Sequence, residues 1–508
     1  MSNNGKTINK NFEFRLSRNT LSLLSSIKKS SKRKQTITKS PSGTTRTNKM
    51  KYKLNNQSSN TKLSKSKSKT YSTGKTYIDN FIDDFYDNDI LCNKFYETAH
   101  KRQHIFPMPA TSNRIIVIGD IHGDLDVLMR CLILSGCVTA ATLPLLKNRT
   151  VSNMNKFYQS LKWVGGDTHL VQLGDQIDRV RPQNWDDNNI SKDKLTNDEG
   201  CTLEIFYLFY YLDKLAQKYG GRVFTIIGNH EIMNVEGDFR YVSMEEFKSF
   251  KKHLDKVYIS KSKYPYYSRT LKTSLINKYN SQYNSQYNSQ YNSKKYKKYK
   301  NNSKSSNKYS TLPDGYRERL YAFSPTGICA NYLGVTGYMT LQIGKWLFCH
   351  GSPTDSTMSK YSIDLINTVI SMYLLGIESI QDTIITHYDI LTNASESESS
   401  IIWDRTFGEQ TISDNNFTTN PLLLNKLDTV LENYNKTNNL MNNDNLKVKY
   451  VAIGHTPQSS NVNGINSICN GKVWRCDIGM SKAFEPNNRK KVQILEITGD
   501  KIQVLEEK

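Results

Sequence analysis

From residue 112 the sequence falls into short apolar runs, each closed by a glycine-containing turn or a histidine. Arg114–Ile118 precedes Gly119–Asp120, His169–Leu173 precedes Gly174–Asp175, and Arg222–Ile227 precedes Gly228–Asn229. Lys345–Cys349 before His350 and Lys449–Ile453 before Gly454–His455 follow the same plan. Runs that stay apolar at successive positions predict strands buried on both faces. Leu125–Leu134 and Leu203–Lys218 lie between them and read as helices. Strand–helix alternation predicts an α/β fold. Further strands near Lys472–Ile478, Val492–Ile497 and Ile502–Glu506 predict a β-rich C-terminal part.

Three regions depart from this pattern. Residues 1–76 show no sustained period and are rich in Lys, Ser, Thr and Asn, so they are expected to be a disordered basic tail. Residues 77–111 are an acidic lead-in, with Ile78, Phe81, Ile82 and Phe85 at the spacing of an amphipathic helix that packs on the body. Residues 112–508 then form the main domain, interrupted at 257–312 by a low-complexity insertion in which YNSQ repeats in tandem over Tyr279–Gln290. A period of four is far below that of stacking repeat units, which marks the insertion as a tolerated surface loop. A second polar stretch, Asn435–Asn445, reads as another loop.

Composition and charge sharpen this division. Only 37% of the chain is hydrophobic, a dilution that the polar segments explain. The net charge is +22, yet residues 1–75 hold 19 Lys/Arg against Glu13 alone, and residues 251–310 hold 15 against Asp255 alone. The body is therefore net acidic, which excludes a uniformly basic nucleic-acid binder. The tail is left as a candidate for weak electrostatic contact with nucleic acid or an anionic membrane, or for a transit-peptide role. No run approaches the apolar length of a bilayer span, and the N-terminus lacks the apolar core of a secretory signal. The eight cysteines are scattered with no CxxC pair, as expected for reduced thiols in a cytoplasmic or other reducing compartment.

The residues that follow the strands carry the candidate chemistry. Gly119-Asp120-Ile121-His122-Gly123-Asp124 comes first, and Gly174-Asp175-Gln176-Ile177-Asp178-Arg179 second. Gly228-Asn229-His230-Glu231, His350-Gly351 and Gly454-His455-Thr456 complete the series. Open α/β sheets place ligands at such strand ends. Four of the nine histidines fall in these motifs. Aspartate and imidazole together suit first-row metals, and the series supplies donors for two ions. Asp120 and His122 are assigned to one ion and Asn229, His350 and His455 to the other, with Asp175 bridging them. Such a pair can hold a phosphoryl group and lower the pKa of a shared water. Two divalent or trivalent ions are implied, manganese foremost, with iron and zinc compatible with the same donors.

In this order GDIHGD, GDQIDR, GNHE, HG and GHT resemble the calcineurin-like metallophosphoesterase superfamily, and within it the phosphoprotein phosphatases. A WxR element (Trp403-Asp404-Arg405), GHTxQ (Gly454–Gln458) and DxGMS (Asp477–Ser481) are similar to the Shewanella-like, bacterial-type phosphatases. The resemblance implies an αββα sandwich of two mixed β-sheets flanked by helices. It implies the same six metal ligands, Asp120, His122, Asp175, Asn229, His350 and His455. It also implies His230 as the general acid, oriented by Asp178, with Arg179 and Arg405 as phosphate clamps. Two departures stand out: Val180 replaces the glycine that closes GDxxDRG, and Ser352 follows His350-Gly351 where the family has HGG.

These features point to a dinuclear metal-dependent hydrolase of phosphomonoesters, with phosphoprotein (Ser/Thr or Tyr) as substrate and metal-bridging hydroxide attacking phosphorus directly and in line. The alternative is a small-molecule phosphoesterase such as a dinucleoside polyphosphate hydrolase, which shares the GDIHG-type motif. A catalytically dead scaffold binding nucleic acid through its basic segments is the third reading; the intact donor set opposes it.

Overall fold

The computed structural model describes residues 76–98, 102–181, 198–259, 313–377, 381–393, 400–409, 420–458, 464–484 and 490–508. The expected basic tail up to residue 75 and the repeat-bearing stretch 260–312 lie outside these residues. In chain order the strands are β1 (Ile105–Phe106), β2 (Arg114–Ile118), β3 (His169–Gln172), β4 (Arg222–Ile226), β5 (Gly337–Tyr338) and β6 (Thr340–Ile343). They continue as β7 (Trp346–Cys349), β8 (Tyr450–Ile453), β9 (Asn466–Ile468), β10 (Val473–Arg475), β11 (Gln493–Thr498) and β12 (Lys501–Glu506).

These strands form two mixed six-stranded sheets. One has the order β12-β11-β2-β3-β4-β5, with β2 to β5 parallel and the C-terminal β11–β12 hairpin added antiparallel to β2. The other has the order β1-β6-β7-β8-β10-β9, in which β7, β8 and β10 run parallel. Burial on both faces accounts for the unbroken apolar runs. On β2, Ile115 and Val117 join Val171, Phe224, Phe348, Ala452 and Leu495 in the layer between the sheets. Ile116 and Ile118 face the helical layer, with Leu128, Leu132 and Phe206. Each such side chain taken fully out of water contributes about 1.5–3 kcal/mol before chain entropy is charged against it. The outcome is the expected α/β architecture of two mixed sheets flanked by helices.

The lead-in forms two helices, Tyr77–Phe85 and Asn88–Thr98. Thr76 and Asp79 make a reciprocal capping box that starts the first. Its apolar stripe is part of the main core: the Phe81 and Phe85 rings lie 5.6 and 5.4 Å from Tyr332, and Tyr77 Oη donates to Glu204 (3.0 Å). β1 ties the rest of the lead-in to β6.

Two boundaries differ from the sequence reading. The helix Met244–Ile259 runs three residues into the stretch assigned to the insertion. The helix Pro421–Thr437 takes in Asn435, where composition predicts the start of a loop; its buried side chain bonds both the N–H and the carbonyl of Val448. A polar residue with both amide groups satisfied fits a helix face that composition alone assigns to a loop. All eight cysteines are free thiols, and seven are buried.

Candidate active site

Strands β2, β3 and β4 end side by side in one sheet and β7 and β8 in the other, so five loops meet at one edge of the sandwich. His122, Asp175, Asp178 and His455 adopt positive φ (43°, 50°, 72° and 67°), four of the nine non-glycine residues that do so among those described. This sparsely allowed conformation is held only where the surroundings over-determine it. One constraint is Glu231, whose buried carboxylate accepts the N–H groups of Gly228 (2.7 Å), Gln176 (2.8 Å) and Asp175 (3.0 Å). It joins the second and third motifs. Gly454 is needed for a different reason: a Cβ there would stand 2.3 Å from Asp120 Oδ1.

The loops bring four of the six expected donors, together with His230, into two clusters that share Asp175. His122, Asp175 and His230 form one, and Asp175, His350 and His455 the other, with their nitrogen and oxygen atoms within 4.8 Å of one another in each. Asp120 Oδ2 lies 4.0 Å from His122 Nε2 and accepts the His455 N–H (3.0 Å). Asn229, the sixth, places Oδ1 2.9 Å from His350 Nε2, which is also 3.2 Å from Asp175 Oδ1. The spacings of 2.9 and 3.2 Å around His350 Nε2 would suit donors that share one cation.

Backbone carbonyls orient three of the imidazoles. His122 Nδ1 faces Ile177 O (3.3 Å), His350 Nδ1 faces Leu173 O (2.8 Å), and His455 Nε2 faces Trp403 O (3.3 Å). A carbonyl only accepts, so the proton sits on that nitrogen and the other nitrogen presents its lone pair to the centre. His230 differs: its Nδ1 lies 3.0 Å from a carboxylate, Asp178 Oδ2.

The charges also suit cations. Burial, reinforced by Asp477 and Asp175, pushes the Asp120 carboxyl well up, and its Oδ1 has no hydrogen-bond partner. Burial raises Asp477 to about 6 and Glu231 to about 7. Asp175 goes the other way: burial is outweighed by His350 and His230, and the carboxyl lies well below its ordinary value. Burial pushes His122 and His455 well down, so they are neutral donors at neutral pH. Several buried carboxyl groups that resist ionising together, beside neutral imidazoles, are relieved by bound metal ions. The residues fit the metals that the motifs imply.

The two expected phosphate clamps fare differently. Arg405 reaches the rim, donating from Nη1 to His455 O and Thr456 Oγ1 (both 3.3 Å), with its side chain 37% exposed. Arg179 is buried, and its guanidinium donates to the carbonyls of His122 (3.1 Å) and Gly123 and to Glu199 (2.7 Å). It braces two loops from behind, a geometry that does not favour the clamp role. Val180, at the position of the family glycine, is buried and donates its N–H to Tyr241 O (2.9 Å).

Sequence reasoning missed three contributors. Asp178 Oδ1 accepts from Arg319 Nη2 (3.2 Å), a fully buried guanidinium that also contacts Asn234 (2.8 Å) and Glu246 (3.1 Å). Asn234 donates in turn to Asp178 Oδ2 (2.8 Å). Neither residue lies in a motif, and only the fold brings them together. Arg181 stands two residues past the arginine that the motif emphasises. Asp477 was visible as part of DxGMS, but its place beside Asp120 was not.

Comparison with protein families agrees with this architecture. The calcineurin-like phosphoesterase family matches residues 113–314. Over those residues the chain carries a calcineurin-like phosphoesterase domain, and the match supports a phosphoester hydrolase. Among named relatives it is similar to Shewanella-like protein phosphatase 2 of Arabidopsis thaliana, 24% identical over 421 residues that cover 80% of this chain and 81% of that protein. It is also similar to Shewanella-like protein phosphatase 1 of Plasmodium berghei, 31% identical over 140 residues that cover 27% and 28% of the two chains. A solved cold-active protein-tyrosine phosphatase from a psychrophilic Shewanella species superposes with a TM-score of 0.42 at 18% identity, covering 77% of this chain and 80% of that one.

Proposed function

We propose that this chain is a dinuclear metal-dependent phosphomonoesterase acting on phosphorylated protein. The observation that carries the reading is Asp175, shared by two histidine clusters, in one of which His230 is paired with Asp178. Asp120, His122 and Asp175 would hold one ion and Asp175, Asn229, His350 and His455 the other. Bound ions of this kind, manganese foremost and iron or zinc compatible, polarise a water for direct in-line attack and offset charge on the phosphoryl group.

The remaining steps belong to the protein. Asp178 fixes the His230 ring through Nδ1, which leaves Nε2, 3.8 Å from Asp175 Oδ2, facing the centre to deliver a proton to the departing oxygen. His230 is separated from the ligand histidines by its partner, a carboxylate in place of a backbone carbonyl. Arg405 at the rim is placed to meet phosphoryl oxygens. Protein substrates are favoured by the Shewanella-like relatives, which are named as protein phosphatases.

Metal analysis of the purified full chain, with turnover measured on phosphotyrosine and phosphoserine peptides and on a dinucleoside tetraphosphate, tests this reading. Metal-dependent release of phosphate from a peptide supports it. Turnover confined to the dinucleoside tetraphosphate would replace it with the small-molecule alternative, and no turnover at any metal loading would refute both.

A further inference from the structure

Arg181 is the cation that the motifs leave unassigned, and its surroundings are unlike those of Arg179. Its Nη1 donates to the carbonyls of Val180 (2.8 Å) and Asp178 (3.2 Å), which hang the guanidinium from the second-motif loop. Nε and Nη2 make no hydrogen bond among the described residues, and the side chain forms no ion pair there. The guanidinium carbon lies 4.7 Å from the centre of the Phe484 ring and 5.7 Å from that of Tyr241. Those two rings are walls of the site: Phe484 packs edge-on against His122 (5.4 Å between centroids), and Tyr241 against His230 (4.6 Å). Arg181 is thus held in an aromatic clasp whose other faces touch a proposed metal ligand and the proposed acid. Burial lowers its pKa while Asp175 and Asp178 oppose the shift, as for a desolvated cation within reach of the centre.

A guanidinium with two unpaired donor positions, fixed at one end and stacked on aromatic faces, is arranged for a planar two-point grip on an oxyanion. We propose that Arg181, and not Arg179, is the side chain on this loop that binds the phosphoryl oxygens of substrate, opposite Arg405. The assignment rests on the phosphomonoesterase reading and adds to it a substrate contact. It also gives Val180 a purpose: a side chain anchored in the core at this position, with its N–H fixed to Tyr241, sets the loop so that the next residue turns toward the centre. A glycine there would leave that turn less determined.

The test uses the metal-loaded full chain and inorganic phosphate as probe. Phosphate binding is measured by calorimetry and, separately, the KM for p-nitrophenyl phosphate is determined, for wild type, Arg181→Ala, Arg181→Lys and Arg179→Lys. The expected result is at least about a tenfold loss of phosphate affinity and a matching rise in KM for Arg181→Ala. Partial recovery is expected in Arg181→Lys, which keeps the charge but not the fork. Arg179→Lys is expected to lower thermal stability and leave phosphate affinity near wild type. Wild-type affinity in Arg181→Ala, or a larger loss of affinity in a folded Arg179→Lys than in Arg181→Lys, overturns the assignment. Wild type that binds phosphate but hydrolyses no ester sinks the hydrolase reading alone, since the binding comparison still reports on Arg181. Should Arg181→Ala fail to fold, the Arg181→Lys and Arg179→Lys comparison decides.

Discussion

His230 and its partners are a relay of directed contacts: the imidazole on Asp178, and Asp178 held by Asn234 and Arg319. Substituting His230→Asn should lower turnover of an alkyl phosphate by about 10²–10⁴ while bound metal, read by elemental analysis, stays at the wild-type ratio. The loss should be smaller on p-nitrophenyl phosphate, whose leaving group needs less help from a proton. Arg319→Lys should show the same leaving-group dependence in milder form, because it loosens Asp178 without touching substrate. Equal losses on both esters would show that Arg319 serves only stability. Metal uptake should also depend on pH with a definite sign. In the metal-free protein Asp477 is raised to about 6 and Asp120 is raised well up, so both retain protons at pH values where an ordinary carboxyl is ionised. A cation favours the ionised forms, protons leave as it binds, and apparent Mn2+ affinity should rise between pH 5.5 and 7.5. His122 and His455, already neutral, add nothing to that slope. Asp477→Asn should flatten it, which a manganese titration at several pH values would show.

The elements differ in how legible they were. β2 and the helix Leu125–Leu134 match their sequence boundaries, and β3, β4, β7 and β8 do so within a residue, because an unbroken apolar run ending at glycine or histidine has few alternatives. β1, β5, β6 and β9 went unread; with two to four residues each, they owe their pairing to a neighbour and not to their own pattern. The site followed the same division. Candidate donors on strand ends follow from order and spacing, whereas Arg319 and Asn234 meet Asp178 through contacts 141 and 56 residues away, which no local pattern encodes. For Arg179 the motif records which residue is present, not that its guanidinium turns to the carbonyls of His122 and Gly123. The lead-in helix gives a prediction at this scale. Phe81 is fully buried among Phe85, Tyr207 and Tyr332, so Phe81→Ala should cost about 3–5 kcal/mol in urea denaturation. Thr76→Ala, which removes only the cap, should cost about 1 kcal/mol.

In the whole molecule the candidate residues are divided between the two sheets, with Asp120, His122, Asp175, Asn229 and His230 after strands of one and His350 and His455 after strands of the other. Neither half carries all of them, so the proposed centre would form only when the sandwich has closed. The helices on either side of residues 260–312, Met244–Ile259 and Tyr316–Phe323, pack directly on each other. Phe250 lies 5.8 Å from Phe323, Lys251 Nζ 3.4 Å from Glu318, and Glu246 pairs with Arg319. Replacing residues 260–312 with a short Gly/Ser linker should therefore leave the thermal midpoint and turnover on p-nitrophenyl phosphate within about twofold of wild type. Loop length itself costs little stability.

One buried guanidinium thereby moors both banks of that stretch and, with the same hand, steadies the proposed acid. Slack paid out or hauled in between the two moorings should then leave no pull on the proposed reaction. Such a chain would have a place where its length can change while its chemistry stays at anchor.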